Sequence, residues 1–333
     1  MATNPFFEQP PAYMGYVGFV DVDGSIIRAT SADISLTQEV TKPDLVDGRI
    51  DRTTYQLGPQ EVGGSIAFPA IYDNDGGVTT VANMWEKVCR RTEIGTLLSF
   101  PITVKYAQTG TYNSSTFSYD NCVVNSLQLS VTQSDVMNIS MDIIGLTRTA
   151  KSLNDSDSPG YPTPDAQDNS RVVTWADSRI EINAGDQRPI GLGGQVGGQF
   201  VRSFEINVNN NVERFYTLNK ALFAQSIAPS KRDVSGSIVF IGRLDGLGQL
   251  AVTNEDFAYE NTEIRFGFTP TVGSSEFIRK LPNVIFQIEE MSITNSLFET
   301  TMNWHSLPAA FIASGTTTAT TDPLLDDTVT TTY

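Results

Sequence analysis

His305 is the only histidine in the 333-residue chain, and this restricts the available chemistry at once. A Ser-His-Asp relay needs an imidazole beside a nucleophile held on a sharp strand-to-helix turn. His305 instead follows Trp304 near the end of an alternating run, and no Gly-x-Ser-x-Gly elbow accompanies it. A zinc site needs several His or Cys ligands at close spacing. Cys89 and Cys122 are 33 residues apart and form no CxxC pair, so two buried free thiols are expected and no metal centre is. Asp21-Val22-Asp23-Gly24 and Asp73-Asn74-Asp75-Gly76 resemble the opening of calcium loops, yet neither has glycine at the sixth position with glutamate at the twelfth. Both read as turns. Gly191-Leu192-Gly193-Gly194-Gln195-Val196-Gly197-Gly198 is glycine-dense but has neither a dinucleotide fingerprint nor a following Lys-Ser/Thr, so it reads as an inter-strand loop and not a phosphate cradle. Glu289 and Glu290 are adjacent on a strand pattern; neighbours on a strand face opposite ways and do not flank one glycosidic bond. No catalytic residue, cofactor or metal is therefore expected.

The elements around these residues form a β-rich pattern. Met1 to Pro11 is an arm with Pro5, Pro10 and Pro11 and the adjacent aromatics Phe6 and Phe7. Tyr13 to Val22 alternates and ends at Asp23-Gly24, a hairpin signal, with Ile26 and Ile27 on the return strand. From Ile34 the alternation runs into Lys42-Pro43-Asp44 and Val46-Asp47-Gly48-Arg49, then Arg52, and resumes at Tyr55 and Leu57, which predicts two strands flanking a long projecting loop. Val62-Gly63-Gly64-Ser65-Ile66-Ala67-Phe68 follows as a core strand whose glycines imply a bulge or a close backbone approach. Val81, Met84, Trp85 and Val88 fall at i, i+3, i+4 and i+7, the spacing of one helical face. Strands are then expected from Leu97 to Tyr106, Asn121 to Val131 and Val136 to Ile144.

The pattern recurs. Val234-Ser235-Gly236-Ser237-Ile238-Val239-Phe240 repeats the Val62 to Phe68 run at an offset of 172, and the same offset carries Ile34, Leu36 and Val40 onto Ile206, Val208 and Val212. Thr262-Glu263-Ile264 echoes Thr92-Glu93-Ile94, and Met291-Ser292-Ile293-Thr294-Asn295-Ser296 echoes Leu129-Ser130-Val131-Thr132-Gln133-Ser134. The reading is mainly β: two tandem similar β-sandwich or barrel modules, each with one short α-helix, the second helix at Asn254 to Asn261. The boundaries are an arm at 1–12, a first domain at 13–148, a Pro- and Ser-rich linker at 149–170, a second domain at 171–312 and a Thr-rich tail at 313–333.

Composition narrows the partners. Lys and Arg number 22 against 38 Asp and Glu, for a net charge of −16, which opposes phosphate-neutralising nucleic-acid binding. The N-terminus has neither a basic region nor an apolar run, so no signal peptide is expected, and no stretch approaches membrane-spanning length. Synthesis and folding in a cytoplasm are the expectation.

Phe204-Glu205-Ile206-Asn207-Val208 with Asn209-Asn210-Asn211, then Pro229 and Asp233-Val234-Ser235-Gly236-Ser237-Ile238, repeated more loosely from Ile34 to Phe68, resemble the tail tube proteins of tailed bacteriophages. The resemblance implies β-sandwich or barrel domains, each flanked by a helix, with six domains per ring and rings stacked into a hollow tube that passes DNA. For a chain with two domains it implies trimeric rings with pseudo-sixfold symmetry, other tail proteins as partners (tape measure, baseplate, terminator and, where there is one, a sheath), and location in the virion tail. Three chains at −16 each would give a lumen that a polyanion slides past. The residues expected at subunit or ring contacts are Phe6, Phe7, Lys42, Pro43, Asp44, Val46, Arg49, Arg52, Tyr55, Arg214, Phe215, Tyr216, Lys220 and Phe223. The alternatives are another β-sandwich virion component (baseplate, tail-terminator or decoration protein) and a carbohydrate-active enzyme.

Overall fold

A computed structural model describes residues 16–41, 56–72, 79–91, 96–108, 114–151, 171–184, 201–218, 222–241, 262–268, 276–294, 297–306 and 324. The strands in chain order are β1 (Tyr16–Val22), β2 (Ser25–Ile27), β3 (Ser31–Thr41) and β4 (Gln56–Pro69); the helix α1 (Thr79–Cys89) follows; then come β5 (Phe100–Gln108), β6 (Ser114–Thr132), β7 (Asn138–Gly145) and β8 (Thr147–Lys151). The chain continues with β9 (Ser178–Ala184), β10 (Val201–Asn209), β11 (Val212–Phe215), β12 (Ser226–Pro229), β13 (Asp233–Ile241), β14 (Thr262–Phe268), β15 (Phe277–Leu281), β16 (Val284–Thr294) and β17 (Leu297–Ser306). The mainly-β expectation holds, and α1 buries Val81, Met84, Trp85 and Val88, the four residues its periodicity selects.

The central feature is a run of eight antiparallel strands in the order β3-β4-β7-β6-β10-β13-β17-β16. Its two halves repeat one arrangement. Ile34 lies opposite Gly64 in β3–β4 as Ile206 lies opposite Gly236 in β10–β13, and Thr37 opposite Glu61 as Asn209 opposite Asp233. β4 pairs β7 as β13 pairs β17, with Ile66 opposite Met141 and Ile238 opposite Met302. The halves meet edge to edge in the sheet: β6, which ends the first half in the strand order, hydrogen-bonds along β10, which begins the second.

Strand β6 is the corner of the fold. Its N-terminal part pairs with β5 and β8 and its C-terminal part with β7 and β10; Asn121, at φ 54°, sits between the two, a backbone setting that Asn tolerates better than most side chains. The β1–β2 hairpin turns at Asp23 (φ 53°) and Gly24 (φ 82°), as its Asp-Gly text predicts. Strand β8 runs into the stretch expected as a linker, and Val172 and Thr174 bridge to Ile71 and Val136, so residues on both sides of the 149–170 segment pack on the first half. Within that packing, Trp175–Asp177 form a 3-10 turn before β9.

One face of the eight-stranded sheet is covered by α1, by the three strands β9-β14-β15 and by the sheet carrying β1 and β5. The buried residues form one cluster from Val20 to Leu324 that joins both halves. Its centre is aromatic: Trp85 of α1 meets Phe266 edge-on at 5.2 Å, Phe204 of β10 lies 5.9 Å from Phe266, and Phe204 stacks with Trp304 at 6.1 Å. Each such ring, fully buried, stabilises the fold by roughly 1.5–3 kcal/mol in transfer free energy alone. Trp85 Nε1 donates to the Leu324 carbonyl at 2.8 Å, and Leu324 is wholly buried, so the Thr-rich tail is anchored in the core at this residue. The expected second helix, 254–261, lies outside the described residues.

The glycines of the repeated run answer a steric demand. A Cβ on Gly64, at φ 151°, would stand 1.7 Å from the Asp33 carbonyl, and one on Gly236 would stand 2.0 Å from the Glu205 carbonyl and 2.4 Å from the Trp304 ring. Of the bulge and the close backbone approach that the text leaves open, the close approach is present at both Gly64 and Gly236.

Candidate assembly surfaces

The seam between β6 and β10 follows from two alternating sequences. Leu127, Leu129 and Val131 turn to the covered face of the sheet, as do Phe204, Ile206 and Val208, and all six are buried. A one-residue slip would turn each of them toward water, so the register is strongly specified: Phe204 opposes Val131, Ile206 opposes Leu129 and Val208 opposes Leu127. On the open face, Gln128 Nε2 donates to Glu205 Oε1 at 2.9 Å, and Asn207 Nδ2 donates to the same oxygen at 2.8 Å.

At the end of the seam the ladder of β6 shifts register between Val124 and Ser126, leaving Asn125 free for other bonds. Its carbonyl accepts from Asn210 N at 2.7 Å, and its side-chain oxygen accepts from Val212 N at 2.9 Å. Asn210 is fully buried and donates through Nδ2 to the carbonyls of Val88 (2.9 Å) and Val124 (3.0 Å). Arg232 Nη1 reaches the Cys89 carbonyl at 2.9 Å, and Arg91 Nη1 reaches the Ser230 carbonyl at 3.1 Å. Side chains of the second half thus satisfy carbonyls that the last turn of α1 leaves without helical partners, and Arg232 places a cation at the negative end of the helix.

Beyond Asn210 the β11–β12 hairpin reaches back over the first half. Arg214 Nη2 donates to the Val62 carbonyl at 2.5 Å and Nη1 lies 3.5 Å from Glu61 Oε2, while Tyr216 Oη donates to Glu61 Oε1 at 3.2 Å. Burial, with the Glu61 charge behind it, raises the pKa of the Tyr216 phenol, so this donor keeps its proton. Gln60 N donates to the Leu222 carbonyl at 2.7 Å, and Gln60 and Phe223 form a parallel bridge. Of the residues expected at contacts, Arg214, Tyr216 and Phe223 therefore meet the first half of their own chain. Phe215 is 48% exposed, and nearby Leu218 is fully exposed. Phe6, Phe7, Lys42, Pro43, Asp44, Val46, Arg49, Arg52, Tyr55 and Lys220 lie outside the described residues. The partners Glu61, Val62, Asn125 and Asn210 are not among the residues expected at contacts. The available signal for the first two was the 172-residue offset itself, which places Glu61 and Val62 beneath Asp233 and Val234.

Two further surfaces complete the arrangement. Among the described residues β3 pairs only with β4 and β16 only with β17, so each end of the eight-stranded run is an unpaired edge. Tyr119 Oη donates to the Ile34 carbonyl at 2.6 Å and ties the first of these edges to the neighbouring layer. The open face between the edges is polar: Ser31, Asp33, Ser35 and Thr37 of β3, Ser126, Gln128 and Ser130 of β6, Ser203, Glu205 and Asn207 of β10, and Asp233 and Ser235 of β13 alternate with the buried set. Arg202 and Arg214 are tied to Glu299 and Glu61. A shallow depression of about 390 Å³ on this face is lined by Asp33, Ser65, Asn125, Asp142 and Arg214. No cluster of three metal-ligating side chains occurs among the described residues.

A family model described as phage tail tube protein matches residues 76–296, more than half of the chain and both sides of the β6–β10 seam. No curated protein matches the chain.

Proposed function

Because this chain belongs to the phage tail tube protein family and is a structural protein of the virion tail, we propose that it assembles head to tail through the edges of its eight-stranded sheet into rings, and that the rings stack into a hollow tube. The observation that carries this reading is the seam inside the chain. Strand β10 is the second-half counterpart of β3, and β16 is the counterpart of β6. The β6–β10 pairing is thus a worked example of how β3 of one copy adds to β16 of another. An unpaired sheet edge is a template for such addition, and a heterologous contact repeated by a closing rotation generates a ring.

In this reading the chain is a duplicated tube module. Each chain contributes two wall segments, so three chains make a ring of pseudo-sixfold symmetry with eight strands from each. The open polar face lines the bore. Its carboxylates repel a polyanion, and its Ser, Thr and Asn side chains offer no cationic phosphate clamp, so DNA passes without being held. Tape measure, baseplate and terminator proteins, and a sheath where there is one, are the remaining partners.

The projecting loops clasp the neighbouring segment. Arg214 and Tyr216 hold Glu61 and Val62 within the chain. The 172-residue offset puts Lys42 and Asp44 in the places of Arg214 and Tyr216, and Asp233 and Val234 in the places of Glu61 and Val62. Lys42 of one chain accordingly meets Asp233 of the next, and Pro43, Val46, Arg49, Arg52 and Tyr55 serve the contact between chains or rings.

Electron micrographs of the purified chain test the reading. Rings or hollow tubes are expected, and deletion of Pro43 to Arg49 is expected to leave a folded, non-polymerising protein. Full-length tubes from that deletion would remove the loops from the interface. Discrete monomers that cleave a polysaccharide would overturn the whole assignment.

A further inference from the structure

We infer that the seam between chains repeats the register of the seam within the chain, and that a pair of carboxylates, Glu290 of one copy and Asp33 of the next, makes it the weaker of the two. The inference rests on the edge-to-edge reading above and adds to it a residue-level partner surface.

The register transfers in two steps. On one side, β10 maps to β3 at an offset of 172, and the ladder agrees with the mapping through Ile206–Gly236 and Ile34–Gly64. On the other, Met291-Ser292-Ile293-Thr294 repeats Leu129-Ser130-Val131-Thr132, and the partners agree: Met291 opposes Thr300 and Ser292 opposes Glu299 in β17, as Leu129 opposes Ile139 and Ser130 opposes Asn138 in β7. Applied to the observed pairs Phe204–Val131, Glu205–Ser130, Ile206–Leu129 and Asn207–Gln128, the mapping sets Ala32 opposite Ile293, Asp33 opposite Ser292, Ile34 opposite Met291 and Ser35 opposite Glu290. The apolar positions stay in phase, so the covered face continues across the chain boundary.

The polar positions do not carry over unchanged. Within the chain, Gln128 and Glu205 stand diagonally across the seam, and the amide donates to the carboxylate at 2.9 Å. Their counterparts by register are Glu290 and Asp33, so the mapping sets two acidic residues at that diagonal, where like charges are unfavourable. Arg214 lines the depression with Asp33 but shares it with Asp142 and pairs with Glu61. On the β16 side Glu289 lies at the ladder shift, and Glu299, opposite Ser292, is paired with Arg202. A chain whose internal seam is complete on folding would thus hold back the external one until concentration, salt or a template favours it.

Ring formation by the full chain, followed by mass photometry and sedimentation velocity across a salt series, tests this. Replacing Glu290→Gln restores the amide–carboxylate pair and should lower the protein concentration at which rings form by about three- to tenfold. Asp33→Asn should act in the same direction. Wild-type assembly should strengthen as salt screens the pair, and both variants should lose most of that salt response. In parallel, Ser35→Cys with Glu290→Cys should cross-link chain to chain on oxidation, whereas Ser35→Cys with Thr294→Cys should not. Rings that form equally well in the wild type and in the Glu290→Gln variant at every salt concentration, or a cross-link in the second cysteine pair, would overturn the register while leaving the ring reading intact. Failure of wild type and both neutralised variants to form any species larger than a monomer would overturn the two together.

Discussion

Asp177 shows how a single buried charge is held in this fold. Burial disfavours its ionised form, but a hydrogen bond from Thr174 N (3.0 Å), the Arg171 guanidinium and the Thr174 hydroxyl (2.9 Å) outweigh that penalty and hold its carboxyl below the usual range. Asp177→Ala would strand the Thr174 donors and is expected to cost about 1–3 kcal/mol in urea unfolding. A folded pKa below the unfolded one stabilises above the ordinary carboxylate range, and that contribution is lost as pH falls through the depressed value. The wild-type advantage over Asp177→Ala should therefore shrink on acidification; an advantage that grows would contradict the assignment. The Cys122 thiol follows the same logic with opposite sign. Burial, reinforced by Asp120, pushes the Cys122 thiol up to about 12, and Cys89 and Cys122 are both fully buried and in no disulfide. Neither should react with a thiol reagent in the native protein, and both should react after unfolding; fast labelling of native Cys122 would show a more open corner at β6.

Among the elements, the hairpin clasp makes the sharpest prediction. If Lys42 of one chain pairs with Asp233 of the next as Arg214 pairs with Glu61, then Lys42→Glu and Asp233→Lys should each impair ring formation. Mixing the two single variants, or combining both changes in one chain, should restore it in part. Lack of rescue would separate the loop contact from the charge pair. The helix, the β1–β2 hairpin and the two glycine-bearing strands could be read from local text because each depends on short-range periodicity or turn chemistry. The junction at Asn125 and Asn210 could not. Nothing in an isolated Asn announces that its amide will reach two carbonyls from residues 88 and 124, because the need arises only where the end of a helix meets a strand irregularity.

For the molecule as a whole, the open face of the eight-stranded sheet fixes what the bore would present. Placing cations there, for instance Asp142→Lys together with Ser237→Lys, should leave tubes intact but make them retain DNA in low salt and release it as salt rises. Wild-type tubes should retain none at either condition. Equal retention by both would place another face against the DNA.

The sequence alone determined the β content, the single described helix, and the repeated text with its 172-residue spacing, because these follow from residue type and short-range period. It also marked the glycines of the repeated run as sites of a bulge or a close backbone approach. Only the tertiary structure decided that the two halves share one sheet and one core, that Leu324 of the Thr-rich tail is buried against Trp85, and that β3 and β16 are the edges left over among the described strands. The physical reason is that edge pairing uses backbone groups every residue carries. Alternation tells which face of a strand is buried, but not which strand lies beside it.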